Sequence, residues 1–447
     1  MSTESWTVSA LARGGSQTSL QTLKFSPYWW EAAPPQAGLK PLPARVDVAI
    51  IGGGFTGLSA ALTLLRRGRR VAVLERGVPG FGASTRNGGQ VGSGNQKFRV
   101  KRLIELHGEA KAVAMLKDGV AMLDYLKELV TREGIECRFQ QSGRFRAAMR
   151  PEHYEAMARD MEDLRRYAGV DSFAVPRAEQ HKEIGSNRFF GGSVLPGDCG
   201  LHPGLYHQGL LHRVEAAGGV VLGQTGAEVV EPGTAGFTIH TARGKLVARN
   251  VIVATNGYTK HLNGYFDKRI VPVGSALIAT ETLPQALLDE LVPKRRMYGN
   301  TNRVFFYFRA VPEDNAIVWG GRTGHLAAAD SPRAYAHLAR DMLQTFPQLA
   351  PYAITHGWSG QIGYTFDELP HLGTTPSGIH YAMGYCGTGV SRSTWFGHKI
   401  ALQVLGDKEG HTAFDDIAFP SHAFHAFAPV MVPVVETWYR IRDTANI

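Results

Sequence analysis

Apolar residues run without interruption in two short stretches near the start of the chain, VDVAIIG at 46–52 and RVAVLE at 70–75, with GGFTG and LSAALTLLRRG between them. Strands covered on both faces lose the polar/apolar alternation of half-exposed ones. The pattern therefore predicts strand, glycine turn, helix and strand, with Gly68 placed to cap the helix C-terminus. Two helices are predicted at roughly 101–133 and 151–168, where apolar residues such as Leu116, Val120, Leu123 and Leu126 recur at three and four. The intervening Glu136–Met149 stretch reads as strands.

A helix is expected after Leu201-His202-Pro203, followed by GVVLGQTGAEVVE, a hairpin over TIHTARGKLVA, and NVIVATNGY. The region near 202–258 thus reads as a return to the first sheet. Residues 265–350 mix short strands (RVFFYFRAV, AIVWGGRT) with a helix near 331–345, as a second domain inserted into the first. The stretch GIHYAMGYCGTGVSRSTWFGHKIALQVLG returns with a strand, a glycine turn and a helix. The first 44 residues are polar and then proline-rich (Pro27, Pro34, Pro35, Pro41, Pro43), an irregular arm whose Tyr28-Trp29-Trp30 is too apolar to remain in water.

With 447 residues the chain can bury a large core and hold two interleaved domains. Lys+Arg 48 against Asp+Glu 39 gives a net +9, yet no run of five like charges appears, so nucleic-acid binding is not expected. Cys137, Cys199 and Cys386 include no CxxC pair, which argues against a disulfide framework and a zinc site and fits a reducing cytoplasm; no metal is expected. The N-terminus lacks an apolar h-region, and no stretch of ~18 apolar residues offers a membrane span.

The chemistry begins with Gly52-Gly53-Gly54-Phe55-Thr56-Gly57, a G-x-G-x-x-G placed directly after a strand and before a helix. Gly52 permits the sharp turn, Gly54 lets a pyrophosphate approach the backbone, and Gly57 allows close helix–strand packing. The helix N-terminus then faces the phosphates with unpaired N–H groups. Glu75 closes the second strand where an acid can accept hydrogen bonds from ribose hydroxyls, and an acid there disfavours a 2′-phosphate; this unit alone does not separate FAD from NAD. Beyond it, Pro79–Gln90 is a loop of small residues with few side chains to obstruct a ligand, and its Arg86 offers a fixed charge.

GGGFTGLSAALTLLRRG, Glu75 and ASTRNGGQ together resemble the D-amino-acid oxidase superfamily of flavoproteins, in the branch of the gamma-glutamylputrescine oxidoreductases, as does the Tyr28-Trp29-Trp30 arm; the resemblance covers about Pro27 to Gly406. It implies an α/β fold: a discontinuous Rossmann-like FAD-binding domain of glutathione-reductase type, with an inserted α+β substrate domain built on an antiparallel sheet. The expected division is an arm at 1–44, FAD-binding segments at 45–98, 196–264 and 354–425, substrate-domain segments at 135–195 and 265–353, and a tail at 426–447.

The resemblance further implies that Gly52, Gly53, Gly54, Phe55, Thr56 and Gly57 hold non-covalent FAD together with Glu75, Arg76 and the loop Ser84, Thr85, Arg86, Asn87, Gly88, Gly89 and Gln90. It places Val229 near the adenine and Ala254-Thr255-Asn256-Gly257 beside the cofactor. Trp358 and Gly360 run beneath the flavin, while Gly384, Gly387, Thr388, Gly389 and Val390 meet its ring. No cysteine stands between Cys199 and Cys386 to tether the flavin, and Cys386 reads as a small buried thiol.

Tyr385, Gln361, His202 and Arg86 are the polar side chains expected nearest the reacting centre. A histidine before proline is more often a turn or domain-edge residue, and Tyr385 is equally readable as a core tyrosine. Phe305, Phe306, Tyr307, Phe308 and Trp319 are candidates for an apolar pocket wall, half of them serving the ordinary core because strand side chains alternate. Amine oxidation needs little from side chains, because the flavin takes the hydride and the protein mainly positions a neutral amine.

The expected function is oxidation of a C–N bond in a small-molecule amine, such as a gamma-glutamylated polyamine, to an imine and then an aldehyde and an amine, with O2 or another acceptor. The alternatives are an oxidase or dehydrogenase of an amino acid (sarcosine, a D-amino acid or proline) and a flavin-binding subunit without turnover. Arg86, Arg303, Arg309 and Arg322 are the candidates to clamp an α-carboxylate.

Overall fold

A computed structural model describes residues 23–445, apart from 37–39, 94–96, 235, 260–261, 263, 312, 324–330, 423–424 and 426. The strand β1 (Arg45–Ile51), the helix α1 (Phe55–Arg66) and the strand β2 (Val71–Leu74) form the βαβ unit. Both strands are buried almost throughout, as their unbroken apolar runs require. β1 lies between β2 and the strand Gly244–Val253, both parallel to it, and the sheet extends through Val220–Leu222 on one side and His380–Met383 on the other. Segments from three parts of the chain therefore build this first sheet, and His371–Thr374 closes one edge antiparallel. Helices Phe55–Arg66, Glu109–Arg132 and Gly389–Val404 cover one face through a core that includes Leu58, Met115, Leu126, Tyr206, Phe396 and Ile400.

The second sheet has eight strands in the order Ile354–Tyr364, Val271–Thr280, Ala316–Arg322, Phe306–Val311, Met297–Asn300, Arg144–Ala147, Gly192–Leu195 and Phe173–Val175. Its pairings are antiparallel except where Met297–Asn300 runs parallel to Arg144–Ala147. Helix Pro332–Thr345 packs on one face over Phe306, Phe308, Trp319 and Phe346. Phe306 and Phe308 point into that core, and Tyr307 between them points the other way, the alternation a strand imposes.

Three placements differ from the sequence expectation. Ile354–Tyr364, assigned to an FAD-binding segment, pairs along its length with Val271–Thr280 and forms the edge of the second sheet. Its pattern of buried and half-buried positions is that of either sheet, so only the pairing decides. Residues 426–447 are not a plain tail: Ala428–Ala445 is a helix despite Pro433 inside it. Of the Glu136–Met149 stretch, only Arg144–Ala147 is a full strand. Residues 1–22 of the arm lie outside the described residues, but Tyr28–Trp30 folds onto the body, with Trp29 completely buried.

Candidate functional site

β1 ends at Gly52, whose φ of +112° suits glycine, and a Cβ there would stand 2.8 Å from the Ala254 carbonyl oxygen. At Gly57, on the first turn of α1, a Cβ would fall 1.9 Å from the Gly52 oxygen. Both glycines are required for α1 to approach β1 this closely. Glu75 follows β2 directly, and its carboxylate accepts from Gly53 N and Gly77 N, each at 2.9 Å. The cradle and the acid are thus one hydrogen-bonded unit. His207, which carries no sequence signal of its own, supports it from beneath: Nε2–H donates to the Gly53 oxygen at 2.7 Å, and burial pushes the imidazole down to about 4, keeping it neutral.

The loop after Glu75 is held by three indoles. Trp30 Nε1 donates to Thr85 Oγ1 (2.9 Å), Trp29 Nε1 to the Asn87 oxygen (2.8 Å) and Trp358 Nε1 to the Arg86 oxygen (2.9 Å). The loop's own polar groups are spent in the same way. Asn87 Oδ1 accepts from Gly89 N at 2.8 Å, and Gln90 Nε2 donates to the oxygens of Tyr298 (3.0 Å) and Phe308 (2.9 Å). Ser84 Oγ accepts from Phe55 N at 3.0 Å, tying the loop to the start of α1.

These elements wall a single cavity of about 1080 Å³. Of the residues singled out from the sequence, Gly52, Gly54, Phe55, Thr56, Glu75, Arg76, Ser84, Arg86, Asn87, Gly88 and Gln90 line it. So do Ala254, Thr255, Gly360, Gln361, Tyr385, Gly387, Thr388, Gly389 and Val390. Asn256 also lines it: in the left-handed region at φ +43°, it accepts from Gly384 N at 2.9 Å and so joins two predicted segments.

Others stand behind the wall. Gly53, Gly57, Thr85, Gly89, Gly257, Trp358 and Gly384 are packing or hydrogen-bonding positions outside the lining. Val229 is 47% exposed on the hairpin, and Gly226, Ala227 and Glu228 line the cavity in its place.

The residues expected at the reacting centre divide. His202 is off the cavity: it caps the helix Pro203–Ala216, its Nδ1 accepting from Leu205 N at 3.1 Å, and it packs edge-on against Trp29. Burial, with the charges of Arg138 and Arg309, pushes its pKa down to about 4. The Pro203 that follows, at the first helical position, was the signal for a cap. Tyr385 reaches the cavity, but its hydroxyl is held by Thr56 Oγ1 (2.8 Å) and donates to the Ala382 oxygen (3.1 Å). Burial raises its pKa well above the usual phenol range, so it stays protonated.

Arg86 donates to the oxygens of Phe81 (2.7 Å) and Ser359 (2.9 Å), between the rings of Phe81 and Trp30. Gln361 lines the wall, with its backbone N–H on Tyr258 Oη at 3.2 Å. Of the proposed carboxylate clamps, Arg309 is likewise spent on backbone, donating to Gly89 O (3.0 Å) and Leu201 O (2.8 Å). Arg322 and Arg303 line the cavity. Around Arg322, Tyr364 Oη accepts from Arg322 Nη2 (2.6 Å) and Lys97 Nζ (2.9 Å), and Lys97 lies 3.6 Å from Glu368. Tyr307, Phe305 and Leu277 supply the apolar surface beside them. The C-terminal helix closes this side: Tyr439 lines the cavity and Asp443 accepts from the backbone of Arg303 and Val304. Cys386 is buried, its thiol near Thr365 and Gly384 O, and burial raises its pKa.

Among the described residues, no group of three or more His, Cys, Asp or Glu gathers as a metal site, and no helix is long and apolar enough to cross a membrane.

A glycine-built dinucleotide cradle opening into a cavity floored by a second sheet defines a flavoprotein oxidoreductase class. The chain matches the FAD dependent oxidoreductase (DAO) family over residues 47–403 and belongs to it. It is 30% identical over 408 residues to the gamma-glutamylputrescine oxidoreductase of Escherichia coli K12, covering 90% of this chain and 93% of that one. It is 29% identical over 381 residues to the probable oxidoreductase OrdL of Haemophilus influenzae, covering 84% and 87%. Among solved structures, glycine oxidase from Geobacillus kaustophilus superposes with a TM-score of 0.70 at 22% identity, covering 85% of this chain and 99% of that one. The protein is an FAD-dependent oxidoreductase.

Proposed function

We propose that the protein oxidises a C–N bond of an amine bearing a carboxylate, of the gamma-glutamylated polyamine kind, to an imine that water converts to aldehyde and amine, with O2 as acceptor. One observation carries this reading: a single cavity joins the glycine cradle to a wall of Tyr307, Phe305 and Leu277 with Arg322 and Lys97 beside it. The similarity to the Escherichia coli enzyme over nine-tenths of the chain supports the substrate class.

The residues present fit FAD. The bare backbone at Gly52 and Gly54, the α1 N-terminus and the Glu75 carboxylate suit its phosphates and ribose, and the Gly387–Val390 turn with the helix N-terminus it leads into would suit the pyrimidine carbonyl of the ring, where negative charge gathers on reduction. When bound, FAD supplies the acceptor for two electrons and a proton as hydride. FAD is read as held without a covalent bond, Cys386 being a small buried thiol whose Sγ lies against Thr365 and the Gly384 oxygen.

The chain's own work is positioning. The wall of Tyr307, Phe305 and Leu277 disfavours the charged ammonium and so holds the amine in its oxidisable neutral form. No side chain is assigned as a general base; Tyr385 stays protonated and fixes the Gly387 turn against α1. Arg322 supports a second reading, an amino acid clamped directly by its α-carboxylate. Oxygen uptake and aldehyde formation, measured with gamma-glutamylputrescine, putrescine, glycine, sarcosine and proline, separate the two. Turnover of the glutamylated amine is expected; turnover of the amino acids alone favours the second reading.

A further inference from the structure

The cavity does not end at Tyr307. One register row crosses the second sheet from Tyr307 to Gly299, from Gly299 to Arg146 and from Arg146 to Ser193, and all four residues line the cavity. Gly299 leaves this floor open, since a Cβ there would meet nothing nearer than 3.8 Å. Two strand spacings, about 10 Å, separate Tyr307 from Arg146. Over this end lies the helix Pro151–Ala168, which contributes His153, Met157 and Asp160.

Arg146 is exposed, and it opens into the cavity that it helps to line. Among the described residues, its side chain makes one hydrogen bond, from Nε to the Asn300 oxygen at 3.5 Å; none reaches Nη1 or Nη2, and no carboxylate lies within ion-pair distance. Of the neighbouring groups, Asp160 offsets the charge in part, from beyond ion-pair distance. Arg144 is paired with Asp198 at 2.7 Å, Asp160 accepts from Val100 N at 3.1 Å, Arg99 adds positive charge, and burial keeps His153, held on Thr301 Oγ1, below its ordinary pKa. Ser193 is 1% exposed, and its hydroxyl has no partner among the described residues.

A guanidinium that lines a cavity with its Nη1 and Nη2 unengaged by other side chains is matched in shape and charge by a carboxylate, which accepts two parallel hydrogen bonds. We infer that Arg146, with Ser193, forms a distal subsite for the carboxylate of an amine substrate whose reactive end lies near Tyr307. Resting on the proposed amine oxidation, this defines the substrate class: an amine joined to a carboxylate by a chain of about ten bonds, long enough to span the two strand spacings. Arg146 is thereby a specificity-determining residue.

The test uses the FAD-loaded protein and two probes of equal length, N-glutarylputrescine, which ends in a carboxylate, and N-pentanoylputrescine, which does not. Anaerobic flavin reduction should show an apparent affinity roughly tenfold or more higher for the glutaryl compound. Arg146→Met, with its FAD content checked, should bring that ratio to about one. Gly299→Val, whose Cβ would meet nothing nearer than 3.8 Å, should raise the apparent Kd for both long amines relative to putrescine. Equal affinity of the parent protein for the two probes, or a preference surviving in R146M, overturns the subsite while leaving amine oxidation standing. If neither amine reduces the flavin, the proposed oxidation is wrong, and calorimetry with glutarate against pentanoate decides the subsite alone. Glutarate binding that R146M abolishes upholds it; no difference between the two acids overturns it.

Discussion

Tyr385→Phe separates a structural hydroxyl from a catalytic one. In the folded protein this oxygen joins α1 to the turn before Gly387, held by Thr56 Oγ1 at 2.8 Å and donating to the Ala382 oxygen at 3.1 Å. Thr56 is 4% exposed, so water does not readily replace the lost partner. Leaving a buried hydroxyl and a carbonyl without a partner costs about 1–3 kcal/mol, and the ring itself stays in place. The FAD-loaded variant should therefore unfold at a lower urea midpoint with an unchanged slope, and it should release FAD more readily. Its rate constant for flavin reduction by a saturating amine should stay within about threefold of the parent, because no proton passes through this group. A rate constant lowered roughly a hundredfold at an unchanged midpoint would refute the reasoning and make Tyr385 an acid or base in the reaction.

Three further outcomes follow from the same geometry. Gly57→Ala, whose Cβ would fall 1.9 Å from the Gly52 oxygen, should abolish FAD retention on gel filtration, whereas Gly68→Ala, with nothing within 4 Å, should keep it. Gly320→Ala would put a Cβ 2.5 Å from the Tyr307 ring; it should raise the apparent KM for amines severalfold with FAD content unchanged. His202 and His207 are buried neutral with pKa near 4, below the free value of about 6.5, so the unfolded chain binds more protons as the pH falls. Their stabilisation is complete above pH about 6.5 and is lost on acidification toward pH 4, on the order of 3 kcal/mol per imidazole. Urea midpoints measured across that range should fall, and should fall less steeply in His207→Gln.

Local patterns carried the first sheet and little of what surrounds it. β1, α1 and β2 were legible because continuous apolar runs and the glycine spacing are properties of adjacent residues, and Glu75 follows by position. The alternation in 305–308 implied that half of these rings serve the core, and the structure puts Phe306 and Phe308 there and Phe305 and Tyr307 on the cavity. Non-local facts were not legible. Ile354–Tyr364 joins the second sheet only through its partner Val271–Thr280, and Arg86 spends its charge on carbonyls of residues as distant in sequence as Ser359. His202 stayed open between a turn residue and a catalytic one, because a capping imidazole and a catalytic one look alike without their neighbours. The C-terminal helix was missed because Pro433 argues against a helix interior. The distal cavity depends on strand register, which places Arg146 across Gly299 from Tyr307.

The central claim is that a non-covalently held FAD and an amine meet in this one cavity. Its most direct test is the absorbance spectrum of the purified protein, recorded anaerobically before and after addition of gamma-glutamylputrescine and again on the supernatant of an acid-precipitated sample. A flavin spectrum that bleaches with the amine and a yellow supernatant are expected. A colourless protein that cannot be reconstituted with FAD, or bound flavin that no amine bleaches, would contradict it.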